Sequence, residues 1–342
     1  MTGPTQKKLP LVSVIIPTIN NGRFIGSALE SLFRQTYPGE RREIIVVDDG
    51  STDNTPEALK KYGQNIFQIH QQHRGIASAR NTGISHARGE IITFLDSDDL
   101  WYEERLQKVV ERFVENPRAG MVYHPVELID SEGNTIVHNF YYAFGYKEEI
   151  SGWVANEIFS GRIYCGGSSF AFRKAIIDRI YPIPEDIKRG VDYYMIAFSS
   201  CFTEAEYILD ILGKYRFHGN NISMWAGRNN RKDLAAFNKD FAYMRGKLLE
   251  QIIGFQDVDA KKVDLNIIRR RQEQERIFYH TLDGERVKGI KRIPSLFKGR
   301  PDHRDLLRGM AICFMALFIP AFGFSKLLKL YENLKRLQII KF

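Results

Sequence analysis

The chain has 342 residues, of which 44% are apolar and 26% are charged, so it can bury a full hydrophobic core without disulfides. Its three cysteines are odd in number and far apart, and without a CxxC motif they argue against a disulfide framework or a cysteine zinc site. This cysteine usage fits a reducing, cytoplasmic setting. The formal net charge of +8 favours polyanionic partners, namely nucleotide phosphates, nucleic acid or an anionic membrane surface.

The first hundred residues alternate between strand and helix patterns. The apolar run that ends at Pro17 predicts a buried first strand rather than a signal peptide, because no small-residue cleavage site follows it. Further strands are predicted at residues 44–47, 67–69 and 91–95. Helical spacing predicts the intervening helices at residues 24–33, 55–62 and 76–86. This short alternation predicts an α/β fold with a mostly parallel sheet and helices on both faces.

Polar side chains follow three of the predicted strands at the point where each strand ends. The clusters are Thr18-Ile19-Asn20, Asp48-Asp49-Gly50-Ser51 and Asp96-Ser97-Asp98. In such sheets, ligands bind outside the carboxyl ends of the strands. We therefore expect the three clusters to converge on one edge of the sheet.

The acidic run from Asp96 to Asp99 places three carboxylates within four positions. Carboxylates this close repel one another unless a cation lies among them. Their oxygens suit Mg²⁺ or Mn²⁺, which proteins commonly share with substrate phosphates. A solvated acidic turn is the alternative. An EF-hand loop is not supported, because Trp101 stands where that loop requires glycine.

Two other polar groups near these strands allow both a binding and a structural interpretation. The carboxylates of Asp48 and Asp49 can accept hydrogen bonds from a base or a ribose, whereas Ser51 or Asp53 can cap the following helix. Arg80 lies among small residues on a predicted helix. It can pair with a phosphate or form a salt bridge in a tight helix–sheet contact.

Two residues beyond the acidic run are candidates for chemistry. Asp192 is flanked by Val191 and Tyr193, and a poorly solvated carboxylate suits proton-acceptor work. The structural alternative is an N-cap for the segment 193–200. His218 can be a metal ligand or an ordinary structural histidine.

Together these stretches resemble the family 2 glycosyltransferases over residues 10–225. The resemblance implies a GT-A fold, which is Rossmann-like, and an inverting transfer of a sugar from a nucleotide-sugar, usually a UDP-sugar. It assigns nucleotide-sugar binding to Pro17, Thr18, Asn20, Asp48, Asp49, Ser51, Arg80, Asp96 and Ser97. It also assigns the metal, Mn²⁺ or Mg²⁺, to Asp98 and His218, and the catalytic base to Asp192.

The sequence departs from the family pattern at two places. Val191 stands where the family usually has a glutamate before the catalytic aspartate, which puts acceptor recognition in question. His73-Arg74 stands before Gly75 where the family often has asparagine. Processive members carry a Gln-x-x-Arg-Trp motif, which the segment 272–277 does not fit, so we expect one sugar per encounter.

Residues 226–342 form a second predicted region that is helical, basic and amphipathic. The apolar stretch 310–324 would span about 22 Å as a helix, which is short of the ~30 Å hydrocarbon core. The leucine-lined segment 327–337 suits a helix lying on an anionic membrane surface. Packing on the catalytic domain and a coiled-coil homodimer are the alternatives.

We therefore expect a metal-dependent glycosyltransferase of the cytoplasm, peripheral on the inner face of the cell membrane. Its acceptor would be a glycan or lipid-linked glycan in envelope or extracellular polysaccharide synthesis, with no nucleic acid partner. A nucleotidyltransferase would show a glycine-rich basic loop where Asn20–Phe24 stands. A catalytically idle sugar-nucleotide-binding scaffold is the other alternative, and Val191 is its support.

Overall fold

The structure is a computed structural model that describes residues 9–143, 146, 150–163, 166–218, 221, 231–256, 258–259, 261–283, 288 and 292. The strands of this part of the chain are β1 (Val12–Thr18), β2 (Arg42–Asp48), β3 (Phe67–His70), β4 (Ile91–Phe94), β5 (Leu100–Trp101), β6 (Ala119–Tyr123), β7 (Val126–Ile129), β8 (Thr135–Val137), β9 (Phe170–Arg173), β10 (Glu204–Tyr207) and β11 (Gly213–Arg216). Its helices are α1 (Ile25–Phe33), α2 (Thr55–Lys60), α3 (Ile76–His86), α4 (Arg105–Glu115), α5 (Phe140–Ala143), α6 (Ala155–Phe159), α7 (Lys174–Ile180), α8 (Val191–Ser199), α9 (Arg231–Gly254) and α10 (Leu265–Leu282).

The central sheet has seven strands in the order β10-β6-β9-β4-β1-β2-β3. Strand β1 pairs in parallel with both β2 and β4, and β2 pairs in parallel with β3. Strand β9 runs antiparallel between β4 and β6. A second sheet of four strands has the order β5-β11-β7-β8. The predicted α/β fold with a mostly parallel sheet is confirmed, and the antiparallel β9 is a feature that the alternating pattern did not predict.

Helices cover both faces of the central sheet. Alternate side chains of β1 therefore pack into two different cores. Ile15 belongs to the core that includes residues of α3 and α8. Val14 and Ile16 belong to the other core, with residues of α1 and α4. Side chains of a strand alternate between its two faces, and both faces here are apolar. The continuous apolar run in the sequence therefore follows from burial on both sides.

Helix α3 lies unusually close to the sheet. A Cβ atom at Gly83 would lie 2.3 Å from Ile15 Cγ2, so any side chain there would push α3 away from β1. The neighbouring Ala77 and Ala79 are buried in the same core. Small residues thus let α3 approach β1 and β2, as the tight helix–sheet interpretation predicts.

Helices α9 and α10 pack on the rest of the chain rather than apart from it. Met244, Leu248 and Ile268 belong to the same core as Ile15. No helix among the described residues is long and apolar enough to cross a membrane. The predicted apolar stretch 310–324 and the amphipathic segment 327–337 lie outside the described residues, so membrane attachment and a homodimer stay predictions.

Gly83→Ala should lower the free energy of unfolding by about 1–3 kcal/mol, because the added methyl group overpacks the contact between α3 and β1. The matched control is Gly26→Ala in α1, where a Cβ atom would have its nearest neighbour, Tyr62 Oη, at 3.4 Å. That change should stabilise the protein by roughly 0.5–1 kcal/mol, since alanine loses less backbone entropy in a helix. Urea unfolding measures both, and equal effects would contradict the close approach.

Candidate active site

The three polar clusters meet at one edge of the central sheet, as predicted. Strands β1 and β2 are in register so that Thr18 lies beside Asp48. The amide of Asn20 donates to Ser51 Oγ over 2.8 Å. The side-chain amide of Asn21 donates to Ser97 Oγ over 2.6 Å. Hydrogen bonds between side chains and backbone thus join the three strand ends.

The end of β1 presents groups that suit ligand binding. Pro17 is buried within the strand, and Thr18 Oγ1 is buried without a hydrogen-bond partner among the described residues. Asn20 adopts a φ of 50°, a left-handed conformation that asparagine tolerates better than most residues. Its side-chain oxygen accepts from the amide of Thr52 at 2.8 Å. Asn20 therefore ties the first cluster to the second.

Asp48 is buried and fixes the turn that follows β2. One of its oxygens accepts from the amide of Ser51 at 2.9 Å, and the other lies 3.1 Å from His70 Nδ1. The N-cap position of α2 is occupied by Asn54 rather than by Ser51 or Asp53, although Asp53 accepts from the amide of Thr55 at 2.9 Å. Ser51 instead bonds to the first cluster.

Asp49 holds the loop that leads into α3. Its Oδ1 accepts from Gln71 Nε2 at 2.7 Å and from the amide of Arg74 at 3.0 Å. Its Oδ2 accepts from the amide of Gly75 at 2.8 Å and lies 2.7 Å from His73 Nδ1. Both oxygens are thus engaged within the chain, and a direct contact of Asp49 with a nucleotide stays a prediction.

Arg80 joins two distant carboxylates from a buried position on α3. Its side chain is 1% exposed, and its Nη2 lies 2.5 Å from Asp192 Oδ1 and 3.3 Å from Asp96 Oδ1. Burial lowers the pKa of Arg80, but Asp192 and then Asp96 raise it more, so the net shift is upward. The structure thus shows Arg80 in a salt bridge with two other predicted site residues, and its contact with a nucleotide-sugar stays a prediction.

Asp192 lies in the first turn of α8, with 31% of its side chain exposed. The N-cap position of this helix is occupied by Gly190 at a φ of 77°, so Asp192 is not the capping residue. A Cβ atom at Gly167 would lie 2.3 Å from Asp192 Oδ1 and 2.8 Å from Arg80 Nη2. Glycine is therefore needed at position 167 for the ion pair to form.

The carboxyl of Asp96 lies close to the charges of Asp192, Arg80 and Asp98. Burial and then the charge of Asp192 raise the pKa of Asp96 to about 7, against the opposing effect of Arg80. Its backbone amide donates to Ser168 Oγ at 3.0 Å. A carboxyl so placed gains from an additional cation, because a cation favours its ionised form.

Asp98 and His218 come together from positions that are 120 residues apart in the chain. His218 Nε2 lies 2.9 Å from Asp98 Oδ2, and Asn221 Nδ2 lies 3.4 Å from the same oxygen. The side chains are 17% exposed for Asp98 and 9% exposed for His218. The structure therefore brings the two predicted metal ligands into contact.

The 2.9 Å between His218 Nε2 and Asp98 Oδ2 is the length of an ordinary hydrogen bond or ion pair. Both side chains carry donor atoms that a divalent cation can accept, and metal binding by this pair stays a prediction. Among the described residues no group of three or more His, Cys, Asp or Glu side chains could hold a metal alone. Substrate phosphate and water would have to complete the coordination.

Asp99 is a site residue that the sequence did not single out for a role. It is 2% exposed, and it accepts hydrogen bonds from Ser168 Oγ at 2.6 Å and from the amide of Arg216 at 2.9 Å. Burial, followed by the charges of Asp98 and Asp96, raises its pKa well above the ordinary value. Its position in an acidic run was visible, but its partners are far away in sequence.

Comparison with known proteins identifies related sequences. The family described as glycosyl transferase family 2 matches residues 13–180. An uncharacterized glycosyltransferase from a Nostoc species is 30% identical over 222 residues, which cover 63% of this chain and 67% of the relative. Several other curated relatives are matched over less than half of their own length.

Solved structures share the fold at low identity. TarS from S. aureus, in complex with UDP-GlcNAc, has a TM-score of 0.55 and 19% identity, over 90% of this chain and 81% of TarS. The mannosyltransferase PcManGT from Pyrobaculum calidifontis, in complex with GDP-Man and Mn²⁺, has a TM-score of 0.56 and 20% identity, over 92% of this chain and 82% of that protein. The fold is the expected GT-A fold. With the family match and the Nostoc relative, the chain is a glycosyltransferase and belongs to family 2.

Proposed function

We propose that this chain is an inverting, metal-dependent enzyme that transfers one sugar per encounter from a UDP-sugar to an acceptor hydroxyl. The observation that carries the proposal is the bridge made by Arg80, which lies 2.5 Å from Asp192 and 3.3 Å from Asp96. It sets the proposed base beside the loop proposed to hold the donor. The reacting hydroxyl and anomeric carbon would meet between these two carboxylates.

In the proposed reaction, the Asp192 carboxylate accepts the proton of the acceptor hydroxyl. The acceptor oxygen forms a bond to the anomeric carbon while the bond from that carbon to the diphosphate oxygen breaks. The nucleoside diphosphate leaves on the opposite side, so the anomeric configuration inverts. Arg80 keeps Asp192 in place, and the partial exposure of Asp192 leaves it within reach of an acceptor.

Asp98 and His218 are the residues proposed to hold Mn²⁺ or Mg²⁺. When bound, the cation supplies charge neutralisation for the departing diphosphate. Support comes from the 2.9 Å contact between the two side chains and from the Mn²⁺ in the complex of PcManGT. Asp99 contributes by fixing Arg216, whose Nε donates to the carbonyl of Asp98 at 2.8 Å.

The proposed donor is a UDP-sugar, and its base and ribose would lie against the ends of β1 and β2. The resemblance to the family favours uridine, and TarS binds UDP-GlcNAc, whereas PcManGT binds GDP-Man. Thr18 Oγ1, Asn20 and Ser97 are the proposed contacts, since they lie at the strand ends that meet. The proposed acceptor is a glycan or lipid-linked glycan, which the basic C-terminal region would help to recruit.

A donor screen with the full-length chain tests this function. UDP-sugars and GDP-Man are incubated with Mn²⁺, and the released nucleotide is identified by chromatography. Release of UDP from one UDP-sugar is expected, with a faster rate once an acceptor is supplied. Release of GDP alone would show that the donor is a GDP-sugar and would contradict the proposed UDP-sugar. If no nucleotide is released from any sugar nucleotide, the proposed function is overturned.

Asp192→Asn should lower kcat by about 10²–10⁴-fold, because the amide cannot accept the proton. The dissociation constant of Mn²⁺–UDP should stay within about twofold, since the nucleotide contacts are elsewhere. Asp178→Asn is the control, as this exposed carboxylate of α7 pairs with Lys174 on its own helix. Turnover is measured by nucleotide release. An Asp192→Asn enzyme with near-normal kcat would refute the base assignment.

Asp98→Asn and His218→Ala should each weaken Mn²⁺-dependent UDP binding by roughly tenfold or more, because each removes a proposed ligand. Isothermal titration with and without Mn²⁺ measures the effect, and binding without metal should change little. His86→Ala is the histidine control, since that side chain is exposed on α3. If His218→Ala retains metal-dependent binding of the native strength, His218 is not a ligand.

A further inference from the structure

The segment that carries Asp192 is held on one side by adjacent residues of α3. Asn81 Nδ2 donates to the carbonyl of Ile183 at 2.8 Å, and Asn81 Oδ1 accepts from its amide at 2.9 Å. Arg80, the preceding residue, forms the ion pair with Asp192. These contacts fix both ends of residues 183–192 from the side of the donor site.

Helix α9 holds the same segment from the other side. Arg189 Nε lies 3.2 Å from Asp240, and Lys247 Nζ lies 3.2 Å from Asp186. Tyr243 also donates to Asp186 through its hydroxyl. These ion pairs are partly exposed and are worth little individually. Their placement nevertheless shows that α9 runs along the segment that leads into α8.

Helix α9 also packs against Gly190, the N-cap residue of α8. A Cβ atom at Gly190 would lie 3.1 Å from Met244 Cε and 3.2 Å from Phe241 Cζ. Its φ of 77° is a left-handed conformation that favours glycine. The start of α8 is therefore fixed by its own backbone conformation and by α9.

A buried arginine then connects α9 to the residue next to Asp192. Arg245 Nη1 donates to Tyr193 Oη at 2.6 Å, and its guanidinium carbon lies 4.4 Å from the centre of the Tyr193 ring. Its Nε donates to Glu275 of α10 at 2.9 Å. Burial lowers the pKa of Arg245, but Glu275 and Tyr193 together raise it by more, so the net shift of the pKa is upward. The cation is thus held between α8 and α10.

We propose that α9 is a positioning element of the active site, in which Arg245 acts through Tyr193 to set the position of Asp192. Neighbours in the first turn of a helix move together, so displacement of Tyr193 displaces the carboxylate. A misplacement of 1 Å at a reacting group can cost about 10²-fold in rate. The inference rests on the proposed role of Asp192 as the base and adds that α9 controls the position of that carboxylate.

The test uses two variants of the full-length chain. Tyr193→Phe removes the hydroxyl that Arg245 bonds and keeps the ring. Arg245→Met/Glu275→Met removes both members of the buried pair, which avoids leaving one charge unpaired. For each we measure kcat, the KM for the donor, Mn²⁺–UDP affinity and the thermal midpoint. Arg276→Met is the control, because Arg276 pairs with Glu273 on its own helix at 2.9 Å.

We expect kcat to fall by roughly 10-fold or more in both variants, while the donor KM and Mn²⁺–UDP affinity stay within about twofold. In the Asp192→Asn background, assayed with more enzyme and longer incubation, the same changes should produce little further loss. A merely structural role would give the same loss in both backgrounds, and that result would overturn the proposal. If the double variant does not fold, Tyr193→Phe alone decides.

The outcomes separate this inference from the proposed function. A native enzyme that releases no nucleotide from any donor overturns the function and with it the inference. An active Asp192→Asn enzyme overturns the base assignment on which both rest. A native enzyme that depends on Asp192 but keeps full kcat after Tyr193→Phe overturns the inference alone.

Discussion

The buried guanidinium of Arg80 holds the candidate active site together, because it pairs with carboxylates from two different parts of the chain. A cation with 1% exposure is costly to bury, and its pairing with Asp96 and Asp192 offsets that cost. Removing one partner of a buried pair typically costs about 3–5 kcal/mol, so the carboxylates depend on Arg80 as much as it depends on them. Arg80 can occupy this position because Gly83 lets α3 lie against β1, and because Gly167 leaves room beside Asp192. Backbone packing thus fixes the charge arrangement.

Asp99 connects the acidic loop to the second sheet through hydrogen bonds. It accepts from Ser168, which in turn accepts from the amide of Asp96, and it accepts from the amide of Arg216 on β11. The second sheet is therefore connected to the acidic loop, and His218 is carried to Asp98 by the strand that Asp99 holds. Family membership argues against a nucleotidyltransferase. Val191, where the family usually has glutamate, does not prevent the ion pair of Asp192 with Arg80.

Several features were predictable from local sequence. Apolar runs with turn residues after them predicted β1, β2 and β4, and the polar clusters at their ends were predicted to converge, which the bonds from Asn20 and Asn21 confirm. The antiparallel β9 was not predictable, because strand direction depends on which partner the strand finds. Helix 55–62 was expected to be longer than α2 is, and exact ends depend on contacts that periodicity does not contain.

Residue chemistry and order along the chain were enough to establish the family, the α/β fold and the candidate site residues, because short-range patterns and strand-end chemistry are local properties. The contacts between these residues, in contrast, depend on the tertiary structure. The sequence allows Arg80 a phosphate or a carboxylate as a partner, and the packing of α3 places it beside the carboxylates of Asp96 and Asp192. Likewise, Asp98 contacts His218, and Arg245 contacts Tyr193, although each pair is far apart in the sequence and no local pattern links its members. Long-range contacts depend on how the sheets and helices pack, and that packing is a property of the whole fold.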